Sequence, residues 1–273
     1  TSNTSNTSNT SNTSNTRKDK HFKLYDYNVY DNIPFYEKKS DYNKYKDNKK
    51  FIIQIFGINE NGNTASIYVD GFNPFFYIKV DDDWNEQRKT QFIYHLKKKM
   101  GNYYEDSIVE SKLIKKHKLY LFDNKKLHNF IKINFTNNAA YNRCKKIFYK
   151  DISIGTYFER KLLEEGYIYN DDCGTTHCYL YEGDIPPLLK LFHLKEISPS
   201  GWISLPSGKT RIVNQKTTHC AYEYIIGHKH IKKAEKDDIV KYNICSFDIE
   251  ASSSHGDFPV PIKDYKKLAS NIL

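Results

Sequence analysis

Tyr242-Asn243-Ile244-Cys245-Ser246-Phe247-Asp248-Ile249-Glu250-Ala251 settles, over its second half, into strict alternation. Side chains on a β-strand point to opposite faces in turn, so Cys245, Phe247, Ile249 and Ala251 belong to one face and Asp248 and Glu250 to the other. Two carboxylates on one face repel each other unless a cation lies between them, and hard oxygen ligands favour Mg²⁺ or Mn²⁺. Two such ions about 3.5–4 Å apart activate a water and stabilise the leaving oxygen in phosphodiester hydrolysis. An edge strand with a solvated acidic face fits the same pattern, and Asp-x-Glu alone is too short to choose. The rest of the chain decides.

Working back toward the N-terminus, residues 232–238 are a charged connector and residues 222–226 a strand candidate. Trp202-Ile203-Ser204-Leu205 reads as a short strand stopped by Pro206, after the turn residues Ser198-Pro199-Ser200-Gly201. Asp184-Ile185-Pro186-Pro187 opens a helix whose apolar side is Leu188, Leu189, Leu191 and Phe192. Further up, ordered structure is expected from near His21. Residues 51–56 form a strand, Asn61-Gly62 a hairpin turn, residues 64–69 the return strand, and Asp70-Gly71 a second turn. A third strand over 75–80 leads to Asp81-Asp82-Asp83, expected to cap a helix over 84–100 that Gly101 ends. Strands at 108–115 and 129–135 and a helix at 139–149 follow. Strand–helix–strand–strand–helix is the order of a ferredoxin-like split βαβ unit.

Composition bounds these readings. The chain has 273 residues, enough for two domains, with 38% hydrophobic and 15% aromatic residues to build cores. A formal charge of +9 suits a polyanionic partner such as nucleic acid, and equally suits the Lys- and Asn-rich bias of an AT-rich genome. Cys144, Cys173, Cys178, Cys220 and Cys245 are odd in number and scattered, without zinc-ligand spacing, as expected of reduced thiols inside a cell. No apolar run spans a membrane and no signal peptide precedes the first strands. Residues 1–16 repeat Thr-Ser-Asn and have nothing to bury, so they are expected to be disordered.

Phe247-Asp248-Ile249-Glu250 resembles the first exonuclease motif of family B DNA polymerases, and it has company. Tyr181-Glu182-Gly183-Asp184-Ile185-Pro186-Pro187-Leu188-Leu189-Lys190-Leu191-Phe192 is similar to the segment that precedes that motif in delta-type members. Ile197-Ser198-Pro199-Ser200-Gly201-Trp202-Ile203 is similar to the next block. Ile55-Phe56-Gly57 through Gly71-Phe72-Asn73-Pro74-Phe75-Phe76-Tyr77 resembles the opening strands. The blocks occur in family order, and the residues after Glu250 resemble polymerases of large nucleocytoplasmic DNA viruses of the mimivirus kind. A cellular delta-type subunit is the near alternative.

The resemblance implies an α+β chain: a β-rich N-terminal domain carrying the ferredoxin-like unit, then the first strand of an RNase H-like 3′→5′ exonuclease domain. It implies a tail over 1–19, a polymerase N-terminal domain over 20–237 and the start of the exonuclease over 238–273. Asp248 and Glu250 are then two of four metal-binding acids, with two Mg²⁺ or Mn²⁺ in the complete enzyme. The implied parent is a DNA-directed DNA polymerase that replicates and proofreads DNA, in a host cytoplasm or nucleus. Its partners are primer-template, single-stranded template, dNTPs and a processivity clamp. The chain as given is expected to be inactive alone.

Two other classes stay open: a stand-alone DEDD-type nuclease and a non-catalytic single-strand-binding module. Tyr103, Tyr104, Lys115, Lys116 and Lys118 are candidates for a stacking and phosphate path, weighed against an ordinary half-buried sheet. His117, His219, His228 and His230 are read as surface or capping histidines, and Ser254-His255-Gly256-Asp257 lacks a nucleophile elbow.

Overall fold

The computed structural model describes residues 18–34, 49–118, 123–154 and 157–248. The Thr-Ser-Asn tract, Glu250 and Ser254-His255-Gly256-Asp257 lie outside the described residues. The chain divides after Val240 into two units. The first is mixed α/β and rich in strands.

Its first layer is a seven-stranded sheet. The strands are β1 (Lys20–Asn32), β2 (Lys50–Ile58), β3 (Thr64–Asp70), β11 (Trp202–Leu205), β12 (Thr210–Ile212), β13 (Tyr222–Gly227) and β14 (Lys232–Lys233), in the order β12-β13-β3-β2-β1-β11-β14. Branched and aromatic residues bury Ile53, Ile55, Ile67 and Val69 here. The β2–β3 hairpin turns where Asn61-Gly62 foretells it: Gly62 sits at φ 80°, and the Asn59 side chain accepts from the amides of Asn61 and Asn63. Gly57 is required by close approach, because a Cβ there would lie 2.8 Å from Phe22 Cβ.

The second layer is a five-stranded sheet of β4 (Phe75–Lys79), β5 (Ile108–His117), β6 (Leu127–Phe135), β9 (Tyr167–Asp171) and β10 (Gly174–Tyr181), in the order β5-β6-β4-β10-β9. Helix α1 (Glu86–Met100) links β4 to β5, and α2 (Asn138–Lys145) follows β6. Strand β4 is buried on both faces. Phe76 and Ile78 join Phe92, Leu96 and Tyr141 in the core with α1 and α2. Phe75 and Tyr77 join the first sheet and helix α3 (Pro187–Lys195) through Leu191 and Phe192. A two-stranded ribbon, β7 (Tyr149–Ile154) with β8 (Tyr157–Leu162), stands beside them.

Several elements differ from expectation. The cap of α1 is Asn85, whose side chain accepts from Arg88 N at 2.9 Å. The Asp81-Asp82-Asp83 run stays in the turn, where Asp83 pairs with Arg88 at 3.0 Å and the Trp84 ring is buried. The helix expected to Tyr149 ends at Lys145 and tightens into a 3₁₀ turn over Lys146–Phe148, because Tyr149 starts β7. Strands β7–β10 were not expected at all; their polar, turn-rich sequences show no clean alternation. No strand forms over residues 242–248: they are exposed, without a ladder partner among the described residues. A strand is stable only when its amides and carbonyls are paired along a neighbour.

Candidate functional site

The sequence blocks around the acid pair build a mount for the connector that leads to it. Gly201 N donates to Ser198 O at 2.9 Å, and Gly201 O accepts from Leu24 N at 2.9 Å, seating β11 against β1. That places Trp202, 3% exposed, over the connector. Its Nε1 donates to Asp238 O at 3.2 Å, the Lys236 ammonium lies 5.2 Å from its ring centroid, and its carbonyl accepts from Ala234 N at 2.9 Å. Ile58, Trp202 and Val240 form one apolar cluster, the last anchorage of the chain before residue 241.

The block over 181–192 is equally structural. Glu182 is left-handed at φ 58°, and the Gly183 carbonyl accepts from Tyr141 OH at 2.7 Å. Asp184 accepts from Lys145 Nζ at 2.5 Å and Tyr149 OH at 2.9 Å; these bonds, Lys145 first, hold its carboxyl below the usual range. Lys190 is 4% exposed, its Nζ donating to Phe75 O at 2.6 Å and lying 3.7 Å from Glu182. Burial pushes that amine down to about 8.

Asp248 is exposed at the end of the described segment, and Glu250 lies beyond it. Among the described residues no group of three or more His, Cys, Asp or Glu could hold a metal ion. The neighbours expected in a core are also outside one: Cys245 is exposed and Phe247 is 80% exposed. Asp248 supplies the right kind of atom for Mg²⁺ or Mn²⁺, an accessible hard carboxylate oxygen.

The basic and aromatic candidates separate in space. Tyr103 and Tyr104 pack edge to face at 4.9 Å beside a groove of about 550 Å³, with Arg143 and Lys146 on its α2 side. Asn142 and Lys146 also line a second hollow of about 410 Å³ that reaches Tyr149 and Arg160. Lys115 and Lys116 instead lie near the far end of β5, on opposite faces, with Lys116 Nζ 4.3 Å from the Tyr77 ring centroid. One continuous path through all five residues is therefore not formed. Sequence reasoning missed Arg143, Lys146, Tyr149 and Arg160, whose convergence depends on α2 ending early.

The histidines stay apart. His117 Nδ1 meets Lys126 O at 3.3 Å, His228 packs edge-on to Phe72 at 5.8 Å, His230 N caps the turn at Gly227, and His219 is exposed. All five cysteines are free; burial pushes Cys178 up to about 12 and raises Cys144 too, which keeps both as unreactive thiols.

Residues 178–267 match the family model for the DNA polymerase family B exonuclease domain. The chain is similar to the DNA polymerase of Phaeocystis pouchetii virus, 65% identical over 94% of this chain and 24% of that protein. It is 26% identical to the DNA polymerase of Acanthamoeba polyphaga mimivirus, over 81% of this chain and 13% of that one. It is 24% identical to the Arabidopsis thaliana DNA polymerase delta catalytic subunit, over 76% and 18%. The chain thus spans a quarter or less of these curated relatives. Among solved structures, the family B DNA polymerase of Pyrobaculum calidifontis aligns with a TM-score of 0.45 at 11% identity, over 76% of this chain and 20% of that one, too slight a likeness to bear on the fold. By sequence, the chain is similar to family B DNA polymerases over most of its length, and residues 178–267 are similar to their exonuclease domain.

Proposed function

We propose that this chain is the N-terminal part of a viral family B replicative DNA polymerase that proofreads in the 3′→5′ direction. The observation that carries the reading is the exonuclease-domain match over 178–267, which takes in both acids of the alternating stretch. Asp248 and Glu250 are two of the four carboxylates that hold Mg²⁺ or Mn²⁺ there. When bound, the metal supplies an activated water and charge stabilisation at the scissile phosphate. In a strand of that alternation Asp248 and Glu250 contribute negative oxygen donors on one face, and Phe247 and Ile249 belong to the other, apolar face. Phe247, 80% exposed, belongs to the face an RNase H-like sheet would bury.

The boundaries follow the same reading: a tail over 1–19, the polymerase N-terminal domain over 20–237 and the exonuclease from 238. The order β5-β6-β4-β10, antiparallel throughout with α1 and α2 on one face, supports the ferredoxin-like unit within the second part. The substrates are primer-template and dNTPs, with a sliding clamp as partner, in the host cytoplasm or nucleus. The groove between Tyr103 and Arg160 is a path for single-stranded DNA, combining exposed tyrosine faces with cations.

The test uses the full-length parent. Asp248→Ala with Glu250→Ala should slow 3′-end degradation without nucleotides by about 10³-fold or more, through lost transition-state charge. Primer extension with nucleotides should continue, since that reaction needs other aspartates. A double variant that trims 3′ ends at the parental rate would reduce these residues to an acidic strand face.

A further inference from the structure

A cavity of about 370 Å³ opens where α3 and the turn after β13 meet the lysine-bearing face of β5 and β6. Lys112 and Lys132 stand opposite each other in the β5–β6 pairing, and Lys195, His228 and Lys229 line the other side. Glu110 is the one carboxylate among the described lining residues, and Lys112 at 2.6 Å and Asn134 at 2.9 Å already engage it. Lys132, Lys195 and Lys229 have no ion-pair partner among the described residues. Lys195 Nζ donates to Lys229 O at 3.2 Å, which draws the α3 end and the turn together.

Like charges gathered in a concave, partly dry space raise the free energy of the folded protein unless an anion enters. Lys132 shows that strain: its ammonium lies 4.1 Å from the Phe75 ring centroid, and burial first, then Lys116 and Lys112, lower its proton affinity against the opposing pull of Glu110 and Glu182. His228 is pressed the same way by burial and by Lys195 and Lys229, with a hydrogen bond to the Asp70 backbone and the Asp70 charge opposing them. Ammonium groups are point-charge ligands for phosphate oxygens. The volume falls in the range of small-molecule pockets, about 300–1,000 Å³. Leu194, 55% exposed at the rim, offers an apolar surface beside the charges.

We infer that this cavity binds a phosphate-bearing ligand of nucleotide size, with its phosphates among Lys112, Lys132 and Lys195 and its uncharged part against Leu194. The same group can come from a free nucleotide or from the phosphorylated end of a strand. The site stands apart from the metal reading, because it involves neither Asp248 nor Glu250.

Isothermal titration of the 273-residue chain at low salt tests it, with pyrophosphate, dATP, and a short oligothymidylate with and without a 5′-phosphate as probes. Pyrophosphate should bind. Lys132→Gln and Lys195→Gln should each weaken it by about tenfold or more, the loss of one charge-assisted contact. Lys132→Arg should restore it, and Arg143→Gln with Lys146→Gln, outside the cavity, should leave it unchanged. Tighter binding of dATP than of the phosphorylated strand identifies the free nucleotide; the reverse order, with the unphosphorylated strand weaker still, identifies the strand end. Thermal melting confirms that each variant is folded. Absence of pyrophosphate binding, or equal binding by folded Lys132→Gln and Lys195→Gln, overturns the inference.

Discussion

Lys190 carries a positive charge where the chain has almost no water to offer it. Its amine titrates near 8 in the folded protein against an ordinary 10.5, because burial outweighs the help from Glu182. Between those values the unfolded chain holds a proton that the folded chain lacks. Stability therefore rises as pH climbs from about 8 to about 10.5, and the penalty is complete below about 8. At about 1.4 kcal/mol per pH unit, the penalty is on the order of 3 kcal/mol. Tyr27 acts in the opposite sense at higher pH, since burial pushes its phenol up to about 12 and stability falls once unfolded tyrosine ionises. Lys190→Met should flatten the rise from pH 8 to 10 in urea unfolding; an unchanged slope would assign the titration to another group. From sequence, Lys190 is a polar residue on an otherwise apolar helix face. Only the packing of α3 against Phe75 makes it a buried donor.

At the scale of elements, short-range chemistry was legible and long-range pairing was not. Asn61-Gly62 foretold its hairpin because the turn needs positive φ at glycine and nothing else. The same short-range logic chose the wrong cap for α1, since three aspartates precede Asn85 and all accept amide hydrogen bonds. Asp83 is drawn off by Arg88, itself held by Asp171 at 2.7 Å from β9. Asn85→Ala should cost about 1 kcal/mol in chemical denaturation, whereas Asp81→Ala should cost under half of that. Equal costs would mean that the acidic run shares the capping. Strands β9 and β10 escaped sequence reading because β10 is specified by pairing with β4, and β9 by pairing with β10 and by the aromatic cluster of Trp84, Phe92 and Tyr169.

At the scale of the whole molecule, a formal charge of +9 has a place to act. Arg143 and Lys146 face the groove of Tyr103 and Tyr104, while Lys145 and Arg160 are partly neutralised by Asp184 and Asp151. Single-stranded DNA should bind weakly, with log K falling linearly in log salt. Replacing Arg143 and Lys146 by Ala should reduce that slope by about 1.4, the release from two phosphate contacts. Fluorescence anisotropy with a labelled oligonucleotide reads both quantities. An unchanged slope would move the path to another surface.

The sequence by itself determined the likeness to family B DNA polymerases, through motifs whose order and wording need no coordinates, and it determined the hairpin, most strands of both sheets and the helix opened by Pro187. It also singled out Asp248 and Glu250 as the acids to test, since alternation along one strand is a local property. Tertiary structure alone decided which residues share a space: Lys190 against Phe75, Trp202 over the 234–240 connector, and lysines of β5, β6 and α3 around one cavity. Those juxtapositions join residues far apart in the chain. They arise from how the two sheets pack, and no window of neighbouring residues contains that information.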